Sequence, residues 1–233
     1  MFGFFYMPWD IWYFVLVLPA FILSMIASSK VKSTFKKYDK IPSSMRITGA
    51  EAAKRILQEN RIYDVKVERV GGELTDHFDP RSKVLRLSQS TYDSVSVAAI
   101  GVAAHEAGHA IQHEYEYFPN KIRGILVPVA NIGSRGGPLL AILGIFLGLP
   151  LLINIGIVLF TMAVLFYLIT LPVEFNASAR AMENLSNSGI LYNDELKGAR
   201  RVLTAAAMTY VASLLVALAN LARIILLSRG RRR

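Results

Sequence analysis

A mainly α-helical integral membrane protein, with about four crossings and a small α+β part outside the bilayer, is the fold class the sequence predicts. Three observations predict it. The chain is 53% hydrophobic with a mean hydropathy of +0.40, too apolar for an ordinary soluble domain. It is also 18% charged, too much for membrane spans alone. Long uncharged runs alternate with segments patterned as amphipathic helix and strand. The net charge of +9 raises nucleic acid as a partner, but the basic residues flank apolar runs and no nucleic-acid motif accompanies them. Anionic lipid headgroups account for them better. With no cysteine, the chain can form neither a disulfide framework nor a thiolate metal site.

Residues 1–29 form the first expected crossing. Ile11 to Ser29 carries no charge, and Phe4, Phe5, Tyr6, Trp9, Trp12 and Tyr13 cluster at its start as interfacial aromatics do. Pro19 is expected to kink it. No Lys or Arg precedes the run, which argues against a cleaved signal peptide. Lys30, Lys32, Lys36, Lys37 and Lys40 follow, so the positive-inside rule sends the chain into the cytoplasm near residue 30.

Residues 30–135 are expected on that side. Thr48 and Glu51 make a capping box for a helix that buries Ala52, Ala53, Ile56 and Leu57. Val65–Val70 and Val84–Leu87 read as two strands that pair as a hairpin around Leu74 to Arg81. A helix from about Ser94 to Glu116 follows. Next, 136–173 has no charged residue or histidine. As one helix it would be about 57 Å long, nearly twice the ~30 Å hydrocarbon core, so two crossings with a turn among Gly148, Pro150, Asn154 and Gly156 are expected. Pro172 suits a break or the first turn of a new helix, placing 174–201 as a cytoplasmic helical segment that Asn187, Ser188 and Gly189 interrupt. Residues 202–227 are long and apolar enough for a fourth crossing, and 228–233 form a basic tail. That crossing puts the tail outside, against the positive-inside rule locally although not in the total; an interfacial helix is the alternative.

Chemistry concentrates in His105-Glu106-Ala107-Gly108-His109. On a helix, residues four apart share a face, so both imidazoles can reach one ion at about 2.0–2.1 Å, the zinc–nitrogen distance. Glu106 lies beside the first ligand, where a carboxylate can take a proton from the attacking water without ligating. A buried helix that merely holds two histidines and a glutamate is the plainer reading. Only four histidines occur in the chain, however, and three fall within nine residues. A catalytic zinc site needs a third protein ligand. His113 repeats the spacing, but it lies about 12 Å of helix rise from His105 and cannot close on the same ion. His77, in the expected loop with Asp76 and Asp79, reads better as an exposed histidine than as a ligand. Glu174, the first charge after the long apolar stretch, is either that ligand or an interfacial residue ending the span.

The sequence H-E-A-G-H-A-I-Q-H, a hydrophobic hairpin and then L-P-V-E-F-N-A-S-A-R-A resemble the YugP-like neutral zinc metallopeptidases of bacteria. Thr75–Pro80 and Val102–Ala104 extend the resemblance, which runs from about Thr48 to Ala212. In layout the chain is similar to gluzincin membrane proteases of the HtpX and CAAX-protease type. The resemblance implies a gluzincin-like zinc peptidase part, with His105, His109 and Glu174 as metal ligands and Glu106 as general base. Two departures stand out: Ser178 occupies the position where the wider group has a supporting aspartate, and one span rather than two precedes the catalytic part. The expected function is a membrane-embedded zinc endopeptidase, multi-pass in a bacterial cell membrane, with its site facing the cytoplasm and one Zn2+ per chain. Its partners are peptide or membrane-protein substrates and the lipid bilayer, with no nucleic acid. A zinc-binding membrane scaffold without activity is the alternative. Arg180 is a candidate oxyanion stabiliser, although a salt bridge to Glu183 explains it better.

Overall fold

The computed structural model describes residues 10–230. The chain is mainly helical, and four of its helices are long and apolar enough to cross a membrane. It divides into two compact units. One comprises the residues up to Ala27, Lys121–Leu171 and Thr209 onward; the other comprises Ser28–Asn120 and Pro172–Met208. The aromatic residues expected at the amino-terminal interface from Phe4 to Trp9, and the final Arg231–Arg233, lie outside the described residues.

The opening helix, whose residues up to Ala27 belong to the first unit, contains a π-helical turn, Tyr13–Val17, and continues as α1, Leu18–Tyr38. The turn falls just before Pro19, whose ring has no N–H for the helical ladder and crowds the preceding turn. Two further helices, α5 (Phe118–Leu147) and α6 (Pro150–Asn187), are joined at Gly148, which has φ +68°. Of the four expected turn residues, Gly148 and Pro150 make the connection, while Asn154 and Gly156 lie inside α6. Gly156 is needed there for packing: a Cβ on it would come within 2.4 Å of the Ala141 nitrogen. Small residues of this kind let helices approach closely where no hydrophobic driving force separates lipid from protein. The last helix, α7 (Asn193–Gly230), is continuous, and its Arg223 pairs with Asp10 at 2.6 Å while lying over the Tyr13 ring.

The second unit holds the hydrophobic core that positions the site. Helix α2 (Gly49–Glu59) starts at the expected capping box, with both Thr48–Glu51 bonds formed. Its buried Ala52, Ala53, Ile56 and Leu57 pack into one cluster with Leu85, Leu87, Ile100 and Ile111. The strands depart from expectation. β1 (Lys66–Val70) and β3 (Val84–Ser88) pair parallel, with Lys66 opposite Val84 and Val70 opposite Ser88. The residues between them supply a third strand, β2 (His77–Asp79), which pairs antiparallel to β3 and gives the order β1-β3-β2. A direct hairpin would have required the connection to reverse the chain once. Here it reverses twice, because β2 takes the antiparallel place on one edge of β3 and β1 pairs parallel on the other. Asp79 closes the β2–β3 turn, and hydrogen bonds from the Ser82 hydroxyl and the Arg81 N–H hold its carboxyl down to about 2.

A short helix, α3 (Gln89–Tyr92), leads to α4, Val97–Glu114. Ser96 caps α4 by accepting from the Ala99 N–H at 3.1 Å, and its own hydroxyl donates to Asp39. The expected new helix at Pro172 does not form. Instead, α6 runs unbroken through Pro172 to Asn187, and the chain turns at Gly189, φ +59°. One missing N–H costs the ladder a single bond, which proline in membrane helices commonly tolerates.

Candidate metal centre

The site rests on a crossing of α4 and α6 within the second unit. Gly108 makes the crossing possible: a Cβ there would sit 2.5 Å from the Ala177 carbonyl oxygen. The facing residues Ala104, Ala107, Ala177 and Ala181 are small and fully buried. On α6 the same buried face carries Val173 and Glu174, so the carboxylate of Glu174 is only 2% exposed. A charge so deeply buried is costly unless partners meet it. Two imidazoles do: Nε2 of His105 lies 3.3 Å and Nε2 of His109 3.5 Å from Glu174 Oε2.

All three donor atoms lie within 4.8 Å of one another, a spacing that could hold a metal ion. Ligands about 2.0–2.1 Å from a tetrahedral zinc stand about 3.3–3.4 Å apart, so the separations of 3.3 and 3.5 Å are close to the edges of such a tetrahedron. Two imidazoles and a carboxylate are also a donor set that zinc accepts with a position left open.

Neighbouring residues fix which ring nitrogen faces the centre. Arg180 can only donate, and its Nε gives a hydrogen bond to Asn176 Oδ1 at 2.9 Å. The same oxygen accepts from Gln112 Nε2 at 3.0 Å, and that amide also donates to the Val173 carbonyl at 2.7 Å. Gln112 therefore turns its carbonyl to His109 Nδ1, 3.1 Å away. Nδ1 must carry the proton, which leaves the Nε2 lone pair for a metal. For His105, Ser178 Oγ stands 3.1 Å from Nδ1 and can accept in the same way. Ser178 thus supports a ring at the position where the wider group has an aspartate. We expect Gln112→Ala to weaken zinc binding about 10–100-fold, read by chelator competition, with helical content unchanged.

Glu106 lies on α4 beside these residues and is 8% exposed. Among the described residues its carboxylate forms no hydrogen bond or ion pair. His113 is exposed and packs its ring against Phe78, with centroids 5.8 Å apart. His77 opens β2, exposed, with Nδ1 2.8 Å from the Thr75 carbonyl. Neither joins the cluster. The expected Arg180–Glu183 salt bridge is not made: Arg180 turns instead to Asn176 and lies over the Tyr115 ring at 6.0 Å.

Sequence reasoning missed Gln112 and Asn176. A signal for Gln112 was present: an uncharged amide three residues after His109 falls on the face of α4 that carries His105, Gly108 and His109.

Fold and site together define a class: a helical membrane protein whose small α+β part gathers two histidines and a glutamate into a possible metal centre. The chain belongs to the family described as putative neutral zinc metallopeptidases, whose model matches residues 13–229. It is 50% identical over 212 residues to the putative membrane protease YugP of Bacillus subtilis (strain 168), covering 91% of this chain and 94% of the relative. No solved structure matches.

Proposed function

We propose that the protein is a zinc-dependent endopeptidase of the membrane, with one zinc held by His105, His109 and Glu174 and with Glu106 as the general base. The observation that carries this reading is the nearly buried carboxylate of Glu106, without a partner among the described residues, beside three convergent donor atoms. A scaffold that binds metal for stability has no use for such a group, and it would close the site with a fourth protein ligand.

Zinc bound there would polarise the scissile carbonyl and lower the pKa of the attacking water toward about 7. Glu106 takes a proton from that water as its oxygen bonds to the carbonyl carbon. It returns the proton to the leaving nitrogen as the C–N bond breaks, so the carboxylate is regenerated. Gln112 and Ser178 hold the two imidazoles in one tautomer throughout. Arg180 acts through Asn176 and Gln112, as a positioning residue and not as an oxyanion donor.

The test is hydrolysis by the full-length protein of a panel of unfolded and membrane-protein substrates. Activity that disappears on chelation and returns with zinc supports the reading; activity indifferent to chelation excludes it.

The site is proposed to face the cytoplasm, at the end of α1 where lysines follow the apolar run. The fourth long helix is proposed to cross the bilayer, since Asp10 at the start of the first span pairs with Arg223 near the end of α7. The chain has no cysteine, so Ser33→Cys and Arg229→Cys, both at exposed positions, provide unique labels. Labelling from opposite faces of intact cells is expected. Labelling from the same face would mean the last helix is interfacial.

A further inference from the structure

A groove of about 530 Å³ lies between α1 and α7 in the second unit. Its lining includes four cations, Lys30, Lys37, Arg200 and Arg201, and no carboxylate. Several cations of the same unit are neutralised, Arg55 by Glu59, Arg69 by Asp93, Lys83 by Asp64 and Arg86 by Asp79, and others, such as Lys32, Lys36 and Lys66, do not line this groove. Even Lys197, one turn before Arg201 on α7, pairs with Asp194 at 2.8 Å. The four groove cations form no ion pair among the described residues. Arg201 instead donates to the Tyr38 hydroxyl at 2.9 Å, and Lys37 lies over the Tyr38 ring at 5.5 Å. Arg200 has Glu183 across an adjoining cavity without pairing to it. Like charges gathered around one concavity repel one another, and an anion in the groove would relieve that repulsion.

The groove also changes along its length, from three cations at one end to the apolar Ala205 and Met208 beside a single lysine at the other. Tyr38 packs on Gly198 and Arg201, which brings Lys37, Arg200 and Arg201 together at one end. Two turns along each helix, the lining changes to Lys30 on α1 and to Ala205 and Met208 on α7. Lys30 directly follows the apolar run Ile11–Ser29, and Ala205 and Met208 lie within the run Val202–Ala222. Thr34 and Thr204 line the wall between the ends and offer hydroxyl donors. A free phosphate would use only the cationic end, whereas an amphiphile uses both.

We propose that this groove binds an anionic phospholipid, its phosphate among Lys37, Arg200 and Arg201 and its acyl end along Ala205 and Met208. The site is separate from the candidate metal centre, and no ligand of that centre lines it.

The test uses the full-length protein in neutral detergent, with bound lipid counted by native mass spectrometry. Phosphatidylglycerol should bind saturably at one molecule per chain, phosphatidylcholine should not, and inorganic phosphate should bind far more weakly. Each cation removed near a membrane surface costs about fivefold, so Lys37→Gln with Arg200→Gln should weaken phosphatidylglycerol roughly 30-fold. Lys32→Gln with Lys36→Gln removes equal charge from the same helix outside the lining and should leave the affinity within about threefold, as no groove contact is lost. Thr34→Trp fills the groove without changing charge and should abolish one-to-one binding, which keeps the test decisive if the double variant fails to fold. Equal losses in both charge pairs, equal binding of phosphatidylcholine, or inorganic phosphate binding as tightly as the lipid would each overturn the proposal.

Discussion

Replacing Glu106 with glutamine is expected to lower peptide hydrolysis to background, a loss of about 10²–10⁴-fold, while zinc stays bound. The substitution keeps the shape and removes only the ability to take a proton. Because Glu106 forms no hydrogen bond or ion pair with described residues, the change leaves no protein group unsatisfied. It also leaves His105, His109 and Glu174 in place, so metal content should match the wild type. The measurement is the rate per mole of zinc on an unfolded protein substrate. A Glu106→Gln protein cleaving at the wild-type rate would remove the base from the mechanism.

The second large effect is expected at Glu174. Glu174→Ala removes one of three donors and the only negative charge among them, and it leaves a gap on the fully buried face of α6. Zinc affinity should fall by much more than the 10–100-fold that changes to supporting residues cost. His113→Ala is the contrasting case. Its ring packs on Phe78, away from the cluster, so its loss should leave zinc binding unchanged. Retention of zinc by the Glu174 variant and loss by the His113 variant would falsify the ligand assignment.

Much of this was legible because it was local. The four-residue spacing of His105 and His109 is a helical spacing, and the helix forms where the alanine-rich run predicts it. The capping box at Thr48 and Glu51 and the break at Ser188 and Gly189 are likewise contacts between near neighbours. The exclusion of His113 from the cluster follows from helix rise alone. What was not legible depended on distant partners. Glu174 stands 69 residues from His105, and sequence position alone left it balanced between ligand and interface marker. The parallel pairing of β1 with β3 depends on β2, a strand of three residues whose polar-apolar-polar His-Phe-Asp is too short to read as a strand. Pro172 shows a local rule overridden, since a proline that suggests a break sits within a helix that packing holds together. Arg180 was assigned to the nearest opposite charge in sequence, whereas Asn176, one turn back on the same helix, receives it.

The account turns on a zinc ion held by His105, His109 and Glu174, and the most direct test is zinc content with X-ray absorption on the purified full-length protein. The expected result is one zinc per chain, with nitrogen and oxygen donors at about 2.0–2.2 Å and the scattering pattern of two imidazoles. A protein that takes up no stoichiometric zinc, or holds it without two imidazoles, would contradict the account.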